Sequence, residues 1–353
     1  MFVGLRRLIL LLLVGCFSCL QPAQCAQRSF EKYLYYINKA EAELMGEHFK
    51  VASKYYDSAL IVWTHPFAQD LVNQLICASH DSDYASVHYC ARKLIHLGCP
   101  LSFFVKPTYL NGFRNTRYFK ILIWEYSKFR PEFTHKNNWN MRTQIELLVA
   151  TDELNVIQAQ ANKSNYTGDD TVRETLDRLF KNGYPNEYDY GVFMRDDTTI
   201  ATEDPLLPVL AHNYGKYDTI GLTDTTRKWH DYTQLLSEGI TKGTLHPEAF
   251  AWLNDKAGIY KQGAGFGEYD VLVLGDDKKY YTPIHDSAMA VSIDSNRLRL
   301  GLLPHSAQLT KMEYALKHQK AFTYLRHPTV FLHRKMGDAE DKTLYQETGL
   351  KED

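Results

Sequence analysis

The amino-acid sequence predicts a mainly α-helical protein with a small β-hairpin (α+β), built as helical hairpins followed by a second, mostly helical domain. Three observations predict it. Apolar residues recur at helical spacing from Phe30 to about Leu97 and again from Met141 onward. Helix stops such as Gly98-Cys99-Pro100 and Asn182-Gly183 punctuate these stretches. Only beyond Gly267 does the pattern turn to strand, in Tyr269 to Leu274; an Asp276-Asp277 turn and Lys278 to Ile284 then complete a hairpin over about 268–284. With 353 residues, 44% of them hydrophobic, the chain is long enough to fill two cores.

The first element, residues 1–26, has the layout of an export signal. Arg6 and Arg7 precede an apolar run from Leu8 to about Leu20, which is too short to span a bilayer. Within it, Leu13-Val14-Gly15-Cys16 resembles the lipobox of bacterial lipoproteins, in which the Cys carries the lipid. That resemblance implies lipidation at Cys16 and a place in the cell envelope; cleavage near Ala23 to Ala26 would instead release a periplasmic or secreted protein. Without Arg6 and Arg7 the formal charge falls from -2 to about -4. No global basic field exists to hold nucleic acid, so no nucleic-acid partner is expected.

Cys77, Cys90 and Cys99 remain in the body of the chain. Their spacing matches no zinc site, so neither a metal nor any other cofactor is expected; one disulfide among the three, or three buried thiols, are both open.

The helices follow. Ala52, Tyr55, Tyr56, Ala59 and Leu60, placed after Gly46, are similar to the tetratricopeptide pattern, and Asp83 to Leu94, with Tyr89, forms a fainter copy about 35 residues on. The helices from Lys106 through Phe129 supply a third layer or cap, so the helical module covers 30–130. The resemblance implies a scaffold that binds a protein or peptide, with Tyr55, Tyr56 and Tyr89 as candidate contacts. A junction is expected over Phe129–Asn140, around Arg130-Pro131 and His135 to Asn138.

A second domain is expected over 141–320: a helix from Met141 towards Ala161, a polar loop with Asn162 and Asn165, a helix over Thr171–Lys181, and helices around Pro205–Tyr214, Thr223–Lys242 and His246–Lys261. Gln144-Ile145 and Asp152, Pro208 to Asn213, Leu235 through Lys256, and Pro283 to Asp286 with Asn296 to Leu302 together resemble an uncharacterised bacterial domain of unknown function. In that family a Gln-x-Tyr-Gly-Thr-Gln-like segment follows the Asp-Lys helix. Here Gly265 to Tyr269 stands in its place without the Thr-Gln. A polar, frayed tail is expected over 337–353.

His212, His285 with Asp286, and Asp255 are the candidate catalytic residues, because a His oriented by a carboxylate can act as a general base. His230-Asp231 and His246 are weaker candidates, and no nucleophile elbow, zinc motif or phosphate loop accompanies any of them. The sequence therefore favours an exported envelope protein with an interaction role over its alternative, a hydrolase-like enzyme.

Overall fold

The computed structural model describes residues 27–136, 139–162, 170–197, 199–201, 204–213, 232–256, 265–267, 273–274, 278–317 and 345–351. The leader with Cys16, the Asn165 sequon, His230-Asp231 and most of 257–272 lie outside the described residues.

Helix α1 (27–45) carries Phe30, Tyr33, Leu34, Ile37, Ala40 and Leu44 on one buried stripe at the spacing of a helix face. The chain turns at Glu47, whose φ is 57°, and α2 (Phe49–Val62) returns with Ala52, Tyr56 and Ala59 facing inward. Helices α3 (Ala68–His80) and α4 (Tyr84–His96) repeat the device around Ser82, also at φ 57°. The hydrogen bonds repeat in register. His48 N–H donates to the Glu43 carbonyl at 2.9 Å, and Asp83 N–H, 35 residues on, donates to the Ala78 carbonyl at 2.9 Å. Glu47 N–H to Leu44 and Ser82 N–H to Ser79 keep the same offset. The two hairpins are one local structure used twice.

A third unit is partly broken. Pro107, which has no N–H to give, separates α5 (Ser102–Val105) from a 3-10 turn (Thr108–Leu110) and α6 (Asn111–Arg114). The long α7 (Arg117–Lys136) then packs beside α4. His88 meets Tyr118 and Glu125, Arg92 meets Glu125, and His96 packs at a tilt on Phe129, so the contacts advance together and the two helices run in the same direction. Gly98 makes the turn after α4 at φ 94°; a Cβ there would lie 2.3 Å from the buried Phe133 ring of α7. Only glycine suits both the backbone and the space.

The second half comprises α8 (Trp139–Ala161), α9 (Asp170–Leu179) and α10 (Glu187–Tyr190), then β1 (Met194–Asp196) and β2 (Thr199–Ile200), then α11 (Leu206–Asn213), α12 (Thr233–Lys242) and α13 (Pro247–Lys256). Strands β3 (Val273–Leu274) and β4 (Lys279–Pro283) form the expected antiparallel hairpin, with Val273 opposite Tyr281. After them come α14 (Ser287–Arg299), α15 (His305–Lys317) and β5 (Tyr345–Lys351). The second core gathers Ile145 and Leu148 of α8, Leu176 of α9, Leu210 of α11, Leu236 of α12 and Leu253 of α13.

One expectation is corrected. Residues 345–351 of the tail are β5, paired with β4 so that Tyr281 faces Glu347, and Lys279 bonds Glu347 at 2.9 Å. The bare edge of β4 has backbone groups to satisfy, and a polar strand serves as well as an apolar one. Over the expected junction, α7 runs through Pro131 to Lys136 and α8 begins at Trp139. The two halves also touch. Val192, Ile200 and Tyr314 belong to the first core, Val192 N–H donates to the Leu97 carbonyl at 2.8 Å, and Asn38 Nδ2 donates to the Gly301 carbonyl at 2.8 Å.

Cys77, Cys90 and Cys99 are buried free thiols. Burial pushes the Cys77 thiol up to about 12, so it packs as a small apolar group. Among the described residues no helix is long and apolar enough to cross a membrane.

Candidate functional site

Helix α8 places Asp152 in the middle of the face that buries Ile145, Leu148 and Ala159. The last turn of α11, which packs against α8, brings His212 and Asn213 to it. His212 Nδ1 lies 2.7 Å from Asp152 Oδ2, and Asn213 Nδ2 donates to Asp152 Oδ1 at 3.1 Å and to the Val209 carbonyl at 2.8 Å. A carboxylate accepts, so the pairing assigns the proton to Nδ1 and leaves Nε2 as the basic nitrogen. Asp152 is buried while the His212 side chain is 32% exposed. This is an oriented imidazole on a buried carboxylate, the geometry of a general base.

The other candidates do different work. Asp255 at the end of α13 accepts from Phe266 N–H at 2.8 Å, and a Cβ on Gly265 would lie 2.2 Å from Asp255 Oδ1. Glycine is therefore required for the strap 265–267 to reach the carboxylate. Asn296 Nδ2 donates to the Gly265 carbonyl at 3.1 Å, and the fully buried Arg297 donates to the Phe266 carbonyl at 3.0 Å and to the Leu303 carbonyl at 2.5 Å. Asp286 caps α14, accepting from Met289 N–H at 2.8 Å. His285 stands edge-on to His305 with ring centroids 5.1 Å apart. Burial, then the neighbouring His285 and Arg297, push His305 down to about 4, and burial also lowers His285. Both rings are neutral at neutral pH. His246 caps α13, its Nδ1 accepting from Glu248 N–H at 3.2 Å.

Thus the four catalytic candidates divide between two settings. His212 belongs to the Asp152 cluster; Asp255 holds the strap, and His285 and Asp286 stand at the start of α14.

A third cluster was missed in the sequence. Lys311 of α15 bonds Glu41 of α1 and Glu248 of α13, each at 2.9 Å, and all three side chains are buried. Asp70 of α3 lies nearby and accepts from the Tyr33 hydroxyl. Burial, with Glu248 and Asp70 adding to it, pushes Glu41 up to about 7 despite Lys311. Two carboxylates around one ammonium leave a surplus negative charge, and a proton on Glu41 relieves it. The visible signal was a charge on an apolar stripe: Glu41 sits between Ala40 and Leu44, and Lys311 beside Met312 and Ala315.

Of the three candidate binding tyrosines, Tyr56 is wholly buried and Tyr55 is packed against the first core. Tyr56 is corrected to a core residue: an aromatic that fills the gap between the helices of a hairpin is covered by them. Tyr89 is 45% exposed on α4 with Lys93 over its ring, and Trp124, 35 residues on, is 60% exposed on α7 with Lys128 over its ring at 3.6 Å. A crevice of about 130 Å³ at the seam of the halves is lined by Trp63, His65, Phe67, Tyr188 and Lys242. Its Trp63 and Tyr188 donors are turned to the chain's own carbonyls of His65 and Pro66. Among the described residues no group of three or more His, Cys, Asp or Glu is placed to hold a metal ion.

Compared with known protein families, curated proteins and solved structures, the chain matches none.

Proposed function

We propose that the chain is a protein-binding module of the bacterial cell envelope, held there by a lipid on Cys16. In this reading, α1 to α7 form a short tetratricopeptide-like stack, joined to a domain of unknown function that buttresses it. The observation that carries the reading is the repeated pair on adjacent parallel helices: Tyr89 with Lys93 and Trp124 with Lys128, each an exposed aromatic under a lysine. Aromatic rings supply contact area and the ammonium groups supply charge, which suits a peptide carrying apolar and acidic side chains. The crosslinked partner captured from envelope fractions should be lost on replacing both Tyr89 and Trp124 by Ala, with affinity down at least roughly tenfold and thermal unfolding unchanged. Equal capture by this double variant sinks the reading. In the same fractions, Cys16→Ala should move the chain from the detergent phase to the soluble phase; unchanged partitioning removes the anchor.

A second reading rests on Asp152 and His212 as a general-base pair of a hydrolase. It expects turnover of at least one chromogenic ester or glycoside, lowered by about 10²–10⁴ in His212→Ala and less in Asp152→Asn, which preserves packing but not the charge. Activity equal in both variants and the parent chain would exclude the pair.

A further inference from the structure

Helix α8 is apolar on two opposite faces. The inner one, with Ile145, Leu148 and Ala159, fills the second core. On the outer one Leu147, Ala150, Leu154, Ile157 and Ala161 all stand exposed, Leu147 at 67% and Leu154 and Ile157 at 59% each. Their steps of three and four residues are the a and d positions of two heptads, with Leu147, Leu154 and Ala161 at a and Ala150 and Ile157 at d. A helix that only lines a core needs one such stripe. The second stripe is a seam without a described partner.

The flanking residues decide what fits it. The e positions are Gln144, Thr151 and Gln158, and the g positions are Glu146, Glu153 and Gln160. Glu146 is already paired with Arg142 of its own chain at 2.9 Å. In a parallel pair of α8 helices, g residues meet e residues of the other chain, so Glu146 meets Thr151 of the second copy and Glu153 meets Gln158 of the second copy. No like charges meet. An antiparallel pair centred on Leu154 would set Glu153 beside its own copy, a like-charge contact that disfavours it. A seam flanked by amides, a hydroxyl and few charges also gives a foreign charged helix little to recognise.

We propose that a second copy of this chain covers the outer face of α8, forming a parallel, two-fold symmetric dimer in which Leu154 meets Leu154. The stripe is short. Two heptads bury on the order of 1,000 Å², below the ~1,600 Å² of a standard interface, so the dimer is expected to be of micromolar strength. This face is distinct from Tyr89 and Trp124, so the dimer and the partner-binding surface stand or fall separately.

Sedimentation equilibrium of the purified full chain from about 1 to 200 μM should show a monomer–dimer equilibrium, and Leu154→Glu should weaken it by at least roughly tenfold. Leu154 is exposed, so the variant should keep the parent's unfolding midpoint. As a second measurement, Leu147→Cys under mild oxidation should give a covalent dimer in excess of any formed by the parent chain, because Leu147 meets its own copy in the parallel arrangement, whereas an antiparallel pair centred on Leu154 sets it opposite Ala161. A monomer throughout the range, as when another part of the chain covers the seam, would overturn the proposal. So would a dimer indifferent to Leu154→Glu, or a Leu147→Cys chain that crosslinks no more than the parent.

Discussion

Replacing Lys311 by Met should lower folding stability by about 3–5 kcal/mol, because it leaves the Glu41 and Glu248 carboxylates buried without their cation. Much of a typical domain's margin is of this size. Lys311 joins α1, α13 and α15, so the loss should fall on the first core and the second half together, as one urea transition displaced to lower denaturant. Converting both partners as well, in Lys311→Met with Glu41→Gln and Glu248→Gln, should recover most of the loss, since no charge is then stranded. A single variant that loses less than ~1 kcal/mol would show that water reaches the cluster and that it is not a lock.

The surplus carboxylate of the same cluster should make stability fall as pH rises through the weakly acidic range. Glu41 titrates near 4.5 in an unfolded chain and near 7 when folded, so between those values the folded state holds the extra proton. Stability from this group is fully present below about pH 4.5 and is lost as pH climbs towards 7, with an upper size of about 3 kcal/mol. Most paired carboxylates act in the opposite sense, favouring the fold as they ionise. Lys311 is raised by Glu248 and Glu41 against the opposing effect of burial, and its contribution is complete at every pH below the ordinary lysine range, so it does not blur this window. His305, held near 4 in the fold, acts in the opposite sense in both chains, so the test is the difference: at about pH 5, 6 and 7.5 the urea midpoint of the parent chain should fall relative to that of Glu41→Gln as pH rises. Equal slopes in the two chains would remove Glu41 as the cause.

The hairpins of the first half were legible because their causes are local. A stripe such as Phe30, Tyr33, Ile37 and Leu44 specifies which helix face is buried, and the recurrence of the same pattern about 35 residues on announces a repeat before any contact is known. The β3–β4 hairpin was legible for the same reason, a period of two closed by a turn. Part of the site was visible as well: His212 was named, and Asp152 stood inside an apolar stripe, where a carboxylate demands a partner. The pairing itself was not visible, because 60 residues separate the two and only the packing of α11 on α8 joins them. Asp255 and Asp286 illustrate the converse. Asp286 beside His285 reads as catalytic in a sequence, and so does Asp255, but both carboxylates accept from backbone N–H groups, one at a helix start and one at a strap.

Residue types alone also misjudged Tyr56 and the tail. Tyr56 and Tyr89 occupy similar stretches of similar helices, yet one fills the interior of a hairpin and the other faces out, which depends on the rotation of each helix against its neighbours. The strand at 345–351 is polar and carries little hydrophobic signal; what makes it a strand is the unpaired edge of β4.

By itself the sequence determined the helical class, the positions of most helices, the repeat and the small hairpin, since each follows from periodicity and turn chemistry within a few residues. Tertiary structure alone decided that the halves share a core, that Lys311 locks three distant helices, that Asp152 orients His212, and that α8 keeps a second apolar seam on its outside. Those facts depend on which surfaces meet, and burial changes the chemistry of what meets there: the same glutamate that titrates near 4.5 in water is held near 7 when two helices close over it.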